Sequence, residues 1–330
     1  MAWQIAGNER ALHALRAAVD GGSPAHAYLF LGPEHTGRAT AAIRLAQALN
    51  CTVDDPPCGE CTQCRRIEAG IHSDVVTLTL ESDDNVVRKN ISESQVDELR
   101  GALTLKAYEG RTRVAIINPA DAMSESAQNK LLLTLEEPAP SVAIILVATE
   151  DEKLLETIRS RCARIDFGLV AADEIKAALI ERGATLDNAR LLARLSGGRP
   201  GWAIDALSDP RVLERRREVL DAARSLVRLP MADRMELAEK LSDAFKRDRD
   251  AVLHQLDEWA AWWRDVLLVQ SGASDRVANL DHDRELQEDA SSHSRAEIAA
   301  FLQAIIETRT YLVENVQSRI ALDALMLAAP

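Results

Sequence analysis

The sequence predicts an α/β domain with a parallel sheet between helices, followed by a region that is helical almost throughout. Three observations carry this. Short β-type runs recur through the first half, each followed by helical pattern. The run "AIILVA" is apolar without a break, as suits a strand buried on both faces of a parallel sheet. Past residue 168 the β signal fades, while Ala, Leu, Glu and Arg stay abundant and aromatics make up only 4% of the chain.

The strands expected in order are "AYLFL" (27–31), "VVTLTL" (75–80), "RVAII" (113–117), "VAIILVA" (142–148) and "ARIDF" (163–167). A helix follows the first strand over 39–50. Ser92 and Gln95 fit a capping box opening "SESQVDELRGAL". Ser124 caps "ESAQNKLLLTLEE", which Pro138 stops. Strands alternating with helices imply a three-layer domain over 1–168. Residues 169–208 read as a small helical unit interrupted by "SGGRPG", and 209–330 as a larger helical region. The polar stretch 271–294 is expected to be a mobile loop with a weak helix inside. No internal repeat is visible.

The net charge of −13 argues against a surface coated for nucleic-acid binding, although a local basic patch stays possible. No apolar run reaches the length of a membrane span, and "MAWQIAGNER" has no basic segment leading into an apolar one. A cytoplasmic protein without membrane association is therefore expected.

Four of the five cysteines crowd into residues 51–64. Cys51, Cys58, Cys61 and Cys64 are spaced C-x6-C-x2-C-x2-C, and "DDPPCGEC" supplies turn residues for a compact knuckle. Four thiolates close a tetrahedral Zn²⁺ shell and leave no open position, so a structural zinc is expected. Unligated or redox-active cysteines are the alternative. A DNA-reading finger fits less well, because the segment is acidic before Arg65 and Arg66.

"LGPEHTGRAT" (31–40) nearly spells a phosphate-binding loop. Gly32 and Gly37 keep the G-x-x-x-x-G spacing, but Arg38 stands where lysine belongs and Ala39 where the Mg²⁺-binding hydroxyl belongs. Thr40 is one position late. The acidic pair that such a site needs at a later strand end is replaced by Asn118 and Pro119 in "RVAIINPADAM", with Asp121 further on. Phosphoryl transfer rests on positioning and charge neutralisation, so losing these groups removes most of the rate. Neither ATP nor Mg²⁺ is expected in this chain's own site. From the loop alone, a plain strand-to-helix turn remains an open reading.

From "HAYLFLGPEHTGRAT" through "AQNKLLLTLEEPAPSVAIILVATEDEKLLETIRSRC", the chain resembles the AAA+ subunits of the bacterial DNA polymerase III clamp loader. The order of features fits: altered loop, four-cysteine insertion, "NPADAM", "LLLTLEEP", "VATED", "SRC". The C-terminal third matches more loosely, through "NVQSRIALDALML". The resemblance implies an AAA+ domain (1–168, zinc module 51–64), a helical lid (169–208) and a collar for oligomerisation (209–330). It implies a heteropentamer with gamma/tau and delta subunits that places a sliding clamp on primer-template DNA. The motor subunits of that family keep the lysine, hydroxyl and acidic pair, so this chain resembles the subunit type without ATPase activity.

The resemblance also assigns roles. Arg161 in "SRC" looks like an arginine finger that reaches a neighbour's ATP. The alternative makes Arg161 a surface cation and Cys162 a small buried filler. Thr149 falls where the family places a polar sensor, and Arg199 in "GGRPG" resembles a second sensor or is simply solvated. Trp259, Trp262 and Trp263 share one helix face, for core or collar. "ERRREVL" (214–220) reads as a solvated face. Two other functions stay open: an ATP-hydrolysing gamma/tau-like motor with a drifted loop, and a zinc-dependent DNA-binding module.

Overall fold

The structure is a computed structural model that describes residues 3–83, 86, 87, 90–314 and 316–330. It divides into two compact units, Met1–Ala178 with Gly198–Trp202, and Leu179–Gly197 with Ala203–Pro330.

The first unit runs α1 (Glu9–Asp20), β1 (Ala27–Leu31), α2 (Arg38–Asn50), α3 (Thr62–Glu68), β2 (Val75–Leu78), β3 (Ser82–Asp83), β4 (Val86–Val87) and α4 (Glu93–Leu103). It continues with β5 (Arg113–Ile117), α5 (Glu125–Glu136), β6 (Val142–Ala148), α6 (Glu156–Arg159) and β7 (Ala163–Asp166). Five strands form one parallel sheet in the order β2-β5-β6-β1-β7, while β3 and β4 make a separate antiparallel pair. Both faces of the sheet are covered, which explains the unbroken apolar runs. Leu29, Leu31, Ile144 and Leu146 share one core with Val96, Leu99 and Leu131 of α4 and α5. Tyr28, Phe30, Ile145 and Val147 share the other with Leu12, Leu15 and Leu45 of α1 and α2. The expected three-layer domain is present. Capping follows the sequence too: the full box at Ser92–Gln95 and the Ser124 hydroxyl accepting from the Ala127 N–H.

The remaining helices are α7 (Ala172–Glu181), α8 (Leu186–Leu195), α9 (Pro200–Ser208), α10 (Arg211–Leu226), α11 (Met231–Arg247), α12 (Arg249–Gln270), α13 (Asp283–Ser292), α14 (Arg295–Val313) and α15 (Ser318–Ala328). In the second unit the centre is α12. Trp259, Trp262 and Trp263 are fully buried in its core with Phe301, Ile305 and Leu325, so the tryptophan stripe is core. Among the described residues no helix is long and apolar enough to cross a membrane.

Two expectations about this unit are corrected. The stretch 271–294 has the helix expected inside it, α13, but the rest is built structure rather than a loose loop: two 3-10 turns (Ser274–Arg276, Leu280–His282), with Val277, Asn279, Leu286 and Asp289 of the stretch buried. Its polar residues pair inward. Asp289 accepts from Trp262 Nε1 and Arg224 Nε, both at 3.1 Å. Asp265 of α12 accepts from the Asn279 backbone N–H at 2.9 Å and from its Nδ2 at 2.7 Å. The face 214–220 is not wholly solvated either: Arg216 is buried, hydrogen-bonded to Asn279 and paired with Glu258 at 3.4 Å.

Candidate functional site

The loop 32–37 leaves β1 at its C-terminal end and enters α2. Gly32 has φ +146°, and a Cβ there would lie 2.0 Å from the carbonyl oxygen of Phe167. Gly37 has φ +96°, so its conformation favours glycine. Asn8, just before α1, ties the loop from outside. Its Nδ2 donates to the carbonyls of Thr36 and Gly168 at 3.1 and 3.2 Å, and its Oδ1 accepts from the Gly168 N–H at 2.8 Å. The Thr36 hydroxyl donates to the Pro33 carbonyl at 2.7 Å. The phosphate-loop shape is thus held by this chain's own bonds.

Arg38, the first residue of α2, is buried. Its guanidinium donates to the carbonyl oxygen of Ala148 and, at 3.2 Å, to the hydroxyl of Thr149. Both acceptors lie at the C-terminal end of β6, next to β1 in the sheet. Burial pulls the Arg38 pKa down, opposed by the charges of Asp121 and Glu34. Ala39 and Thr40 are exposed. Across the strand ends, Asn118 donates its backbone N–H to the Leu78 carbonyl at 3.0 Å, and Pro119 leads into a 3-10 turn, Ala120–Ala122. Asp121 in that turn accepts from the backbone N–H groups of Thr149 and Glu150 at 3.0 and 3.1 Å. This acid therefore fastens the β6 end. Arg199 lies two residues before Gly201, whose N–H donates to the His35 carbonyl of the loop at 2.8 Å. So Gly32, Gly37, Arg38, Ala39, Asn118, Pro119 and Thr149 gather at one end of the sheet, and the segment bearing Arg199 is bonded to the loop.

Arg161 stands apart, just past the short helix α6. Its Nη1 donates to the Thr157 carbonyl at 2.9 Å and its Nη2 to Glu136 Oε1 at 2.8 Å. Behind it, Cys162 packs on the sheet core, and burial pushes its thiol up to about 12. That thiol is inert filler rather than a nucleophile.

The four cysteines converge. Their sulfur atoms all lie within 4.8 Å of one another, and Cys58 Sγ is 4.0 Å from Cys64 Sγ. A tetrahedral zinc with bonds of about 2.3 Å needs sulfurs about 3.8 Å apart, so the donor set and spacing fit one ion with a closed shell. Amides aim at the sulfurs: Cys61 N–H to Cys58 at 3.3 Å and Cys64 N–H to Cys61 at 3.5 Å. Burial would raise the Cys61 thiol, but the N–H groups of Cys64 and Thr52 outweigh it and bring it to about 6. Burial raises Cys51 and Cys64. The knuckle is anchored by Gln47 of α2, whose Nε2 donates to the Cys64 carbonyl at 2.7 Å, and by Arg66, paired with Glu109.

A family model described as "DNA polymerase III, delta subunit" matches residues 7–170. The DNA polymerase III subunit delta' of Bacillus subtilis is 28% identical over 319 residues, 96% of this chain and 94% of that protein. The subunit delta' of Pseudomonas aeruginosa is 33% identical over 214 residues, 63% of each chain. This chain belongs to the clamp-loader family of DNA polymerase III subunits. The tau subunit of Bacillus subtilis is also similar, 36% identical over 173 residues, 52% of this chain and 30% of that one.

Within this clamp-loader chain, sequence reasoning missed the residues that hold the site. Asn8 carried a signal, an asparagine directly before a helix, but its side chain reaches Thr36 and Gly168 instead of capping α1. Glu136 gave none, because its partner lies 25 residues away. Asp74 and Arg113, buried together at 3.1 Å beneath the knuckle, gave none either.

Proposed function

We propose that this chain is a delta-prime-type, non-hydrolysing subunit of the clamp loader. It would assemble with gamma/tau and delta subunits in a heteropentamer that places a sliding clamp on primer-template DNA. In this reading 1–168 is the AAA+ domain, 169–208 a lid and 209–330 a collar, and the knuckle holds one structural zinc.

The observation that carries the reading is Arg38. A loop lysine must reach out to the phosphates, whereas this guanidinium turns back to Ala148 and Thr149. Thr149, the sensor-like residue, is thereby engaged by the chain itself. Ala39 offers no magnesium ligand, and Asp121, the acid past the β5 end, takes two backbone amides on its Oδ2. The length of the match to a delta' subunit supports the same conclusion.

Arg161 is the group this chain lends. It is 35% exposed, and only two of its five N–H donors are engaged among the described residues. An outward guanidinium stabilises the charge of a phosphoryl group transferring in a neighbouring subunit. Arg161→Ala should lower ATP turnover and clamp loading by the reconstituted complex while assembly stays intact. Undiminished turnover in an intact complex would sink the finger. The second reading, a gamma/tau-like motor with a drifted loop, is favoured by the similarity to tau. It demands steady Mg²⁺-dependent ATP hydrolysis by the purified chain alone, where the delta-prime reading expects none.

A further inference from the structure

We propose that Glu136 is a positioning residue for Arg161, holding its guanidinium so that the unengaged N–H edge faces outward. This rests on the trans-acting reading of Arg161 given above.

Glu136 is the last residue of α5. A carboxylate there faces the negative end of the helix dipole, the end at which a cation is preferred. Glu137 follows it, adding a like charge. Helix stability therefore does not account for an acid at this place, and the side chain it meets does. Its Oε1 accepts from Arg161 Nη2 at 2.8 Å, while the Thr157 carbonyl takes Nη1 at 2.9 Å. The two acceptors come from different elements, α5 and α6. Each element is pinned to the same core, α5 through buried Leu131 and Leu135 and α6 through buried Ile158. A long, rotamer-rich side chain is thus held at two points, which removes part of the entropy cost of placing it in a transition state.

The neighbouring arginines show the arrangement is selective. Arg159 and Arg164 both turn to Asp151, at 3.9 and 2.6 Å. Without Glu136, Arg161 would keep only the Thr157 carbonyl of its described partners and could swing about that one point. The pair is half-exposed, 35% for Arg161 and 46% for Glu136. Such a pair is weak enough that a phosphate can share the guanidinium without its first having to be released.

The test uses the complex reconstituted with motor and delta subunits, comparing Glu136→Ala, Glu136→Gln, Arg161→Ala and the double variant Glu136→Ala/Arg161→Ala. Glu136→Ala should reproduce roughly half or more of the turnover loss of Arg161→Ala, in kcat with KM for ATP unchanged, since a finger acts in the transition state. Glu136→Gln, which still accepts the hydrogen bond, should restore most of it. The double variant should match Arg161→Ala, because a positioning residue has nothing to position once the finger is gone. A normal Glu136→Ala beside an impaired Arg161→Ala overturns the proposal and leaves the finger standing. A further loss in the double variant, or failure of Glu136→Ala to assemble, also overturns it by giving Glu136 a different task. A normal Arg161→Ala removes the finger itself and the proposal with it.

Discussion

Asp74 shows how one buried carboxylate can organise a region. It is fully buried, pairs with Arg113 at 3.1 Å, and accepts from the backbone N–H groups of Tyr108, Glu109 and Gly110, each at 2.8 Å. Burial alone would raise its pKa, but those amides and Arg113 outweigh burial and hold it below the ordinary carboxylate value. A depressed folded pKa stabilises the fold at every pH above the unfolded value of about 3.9, and that stability is lost as pH falls through the acid range. His72, buried nearby and with its pKa lowered by burial, acts in the same direction, because the unfolded chain takes up its proton first. Asp74→Ala should cost about 3–5 kcal/mol in urea unfolding at neutral pH, since it leaves Arg113 buried without its counter-charge. Asp74→Asn should flatten the loss of stability below about pH 4, where wild-type Asp74 titrates. A wild-type-like acid profile in that variant would show that the carboxylate is not the group responsible. Gly32 makes a second test at this scale. A Cβ would meet the backbone oxygen of Phe167, which cannot swing away, so Gly32→Ala should cost about 3 kcal/mol by the same measurement.

Between residues and the whole chain, the elements differ in how plainly they could be read. β1, β5 and β6 have the expected boundaries, because a strand buried on both faces is apolar along nearly all its length, Arg113 at the head of β5 being buried against Asp74. The cysteine knuckle was legible because four thiols able to share one ion must be close in space, and here they are also close in sequence. The stretch 271–294 was not. Its anchors, Asn279 and Asp289, are polar, and composition cannot distinguish a solvated aspartate from one whose partners are Trp262 and Arg224 on other helices. Arg216 was misread for the same reason, its partners being Glu258 and Asn279. The loop's residues were legible, but the turn of Arg38 onto Ala148 and Thr149 was not, because it depends on β6 lying beside β1. Asp289→Ala should lower stability by about 3 kcal/mol and expose 271–294 to trypsin, since it strips two arginines and a buried indole N–H of their acceptor. An unchanged digestion pattern would mean that the apolar residues Val277 and Leu286 suffice to hold the segment. For the knuckle, metal analysis should find one zinc per chain, lost on Cys58→Ser or Cys61→Ser.

For the molecule as a whole, net charge constrains how it could meet DNA. Thirteen excess negative charges repel a polyanion at long range. Several of the arginines that might offset this are committed to acids of the chain: Arg66 to Glu109, Arg216 to Glu258, Arg224 to Asp289, Arg319 to Glu239 and Asp323. Duplex affinity from phosphate contacts requires free cations that release counterions, and each such contact steepens the salt dependence. The purified chain should therefore bind duplex DNA no more tightly than about 10⁻⁴ M at physiological salt, the weak end of non-specific binding, when followed by fluorescence anisotropy. The measurement also separates two readings that share the knuckle. If zinc organised a DNA-binding module, loading the metal would produce tight binding with a steep salt slope. If zinc only braces α2 and α3 beneath the loop at 105–112, chelation should lower thermal stability and leave DNA binding as weak as before. Affinity for DNA should then arise only in the assembled complex, from surfaces other subunits contribute. Micromolar, salt-sensitive binding by the isolated zinc-loaded chain would contradict this and return the knuckle to the functional surface.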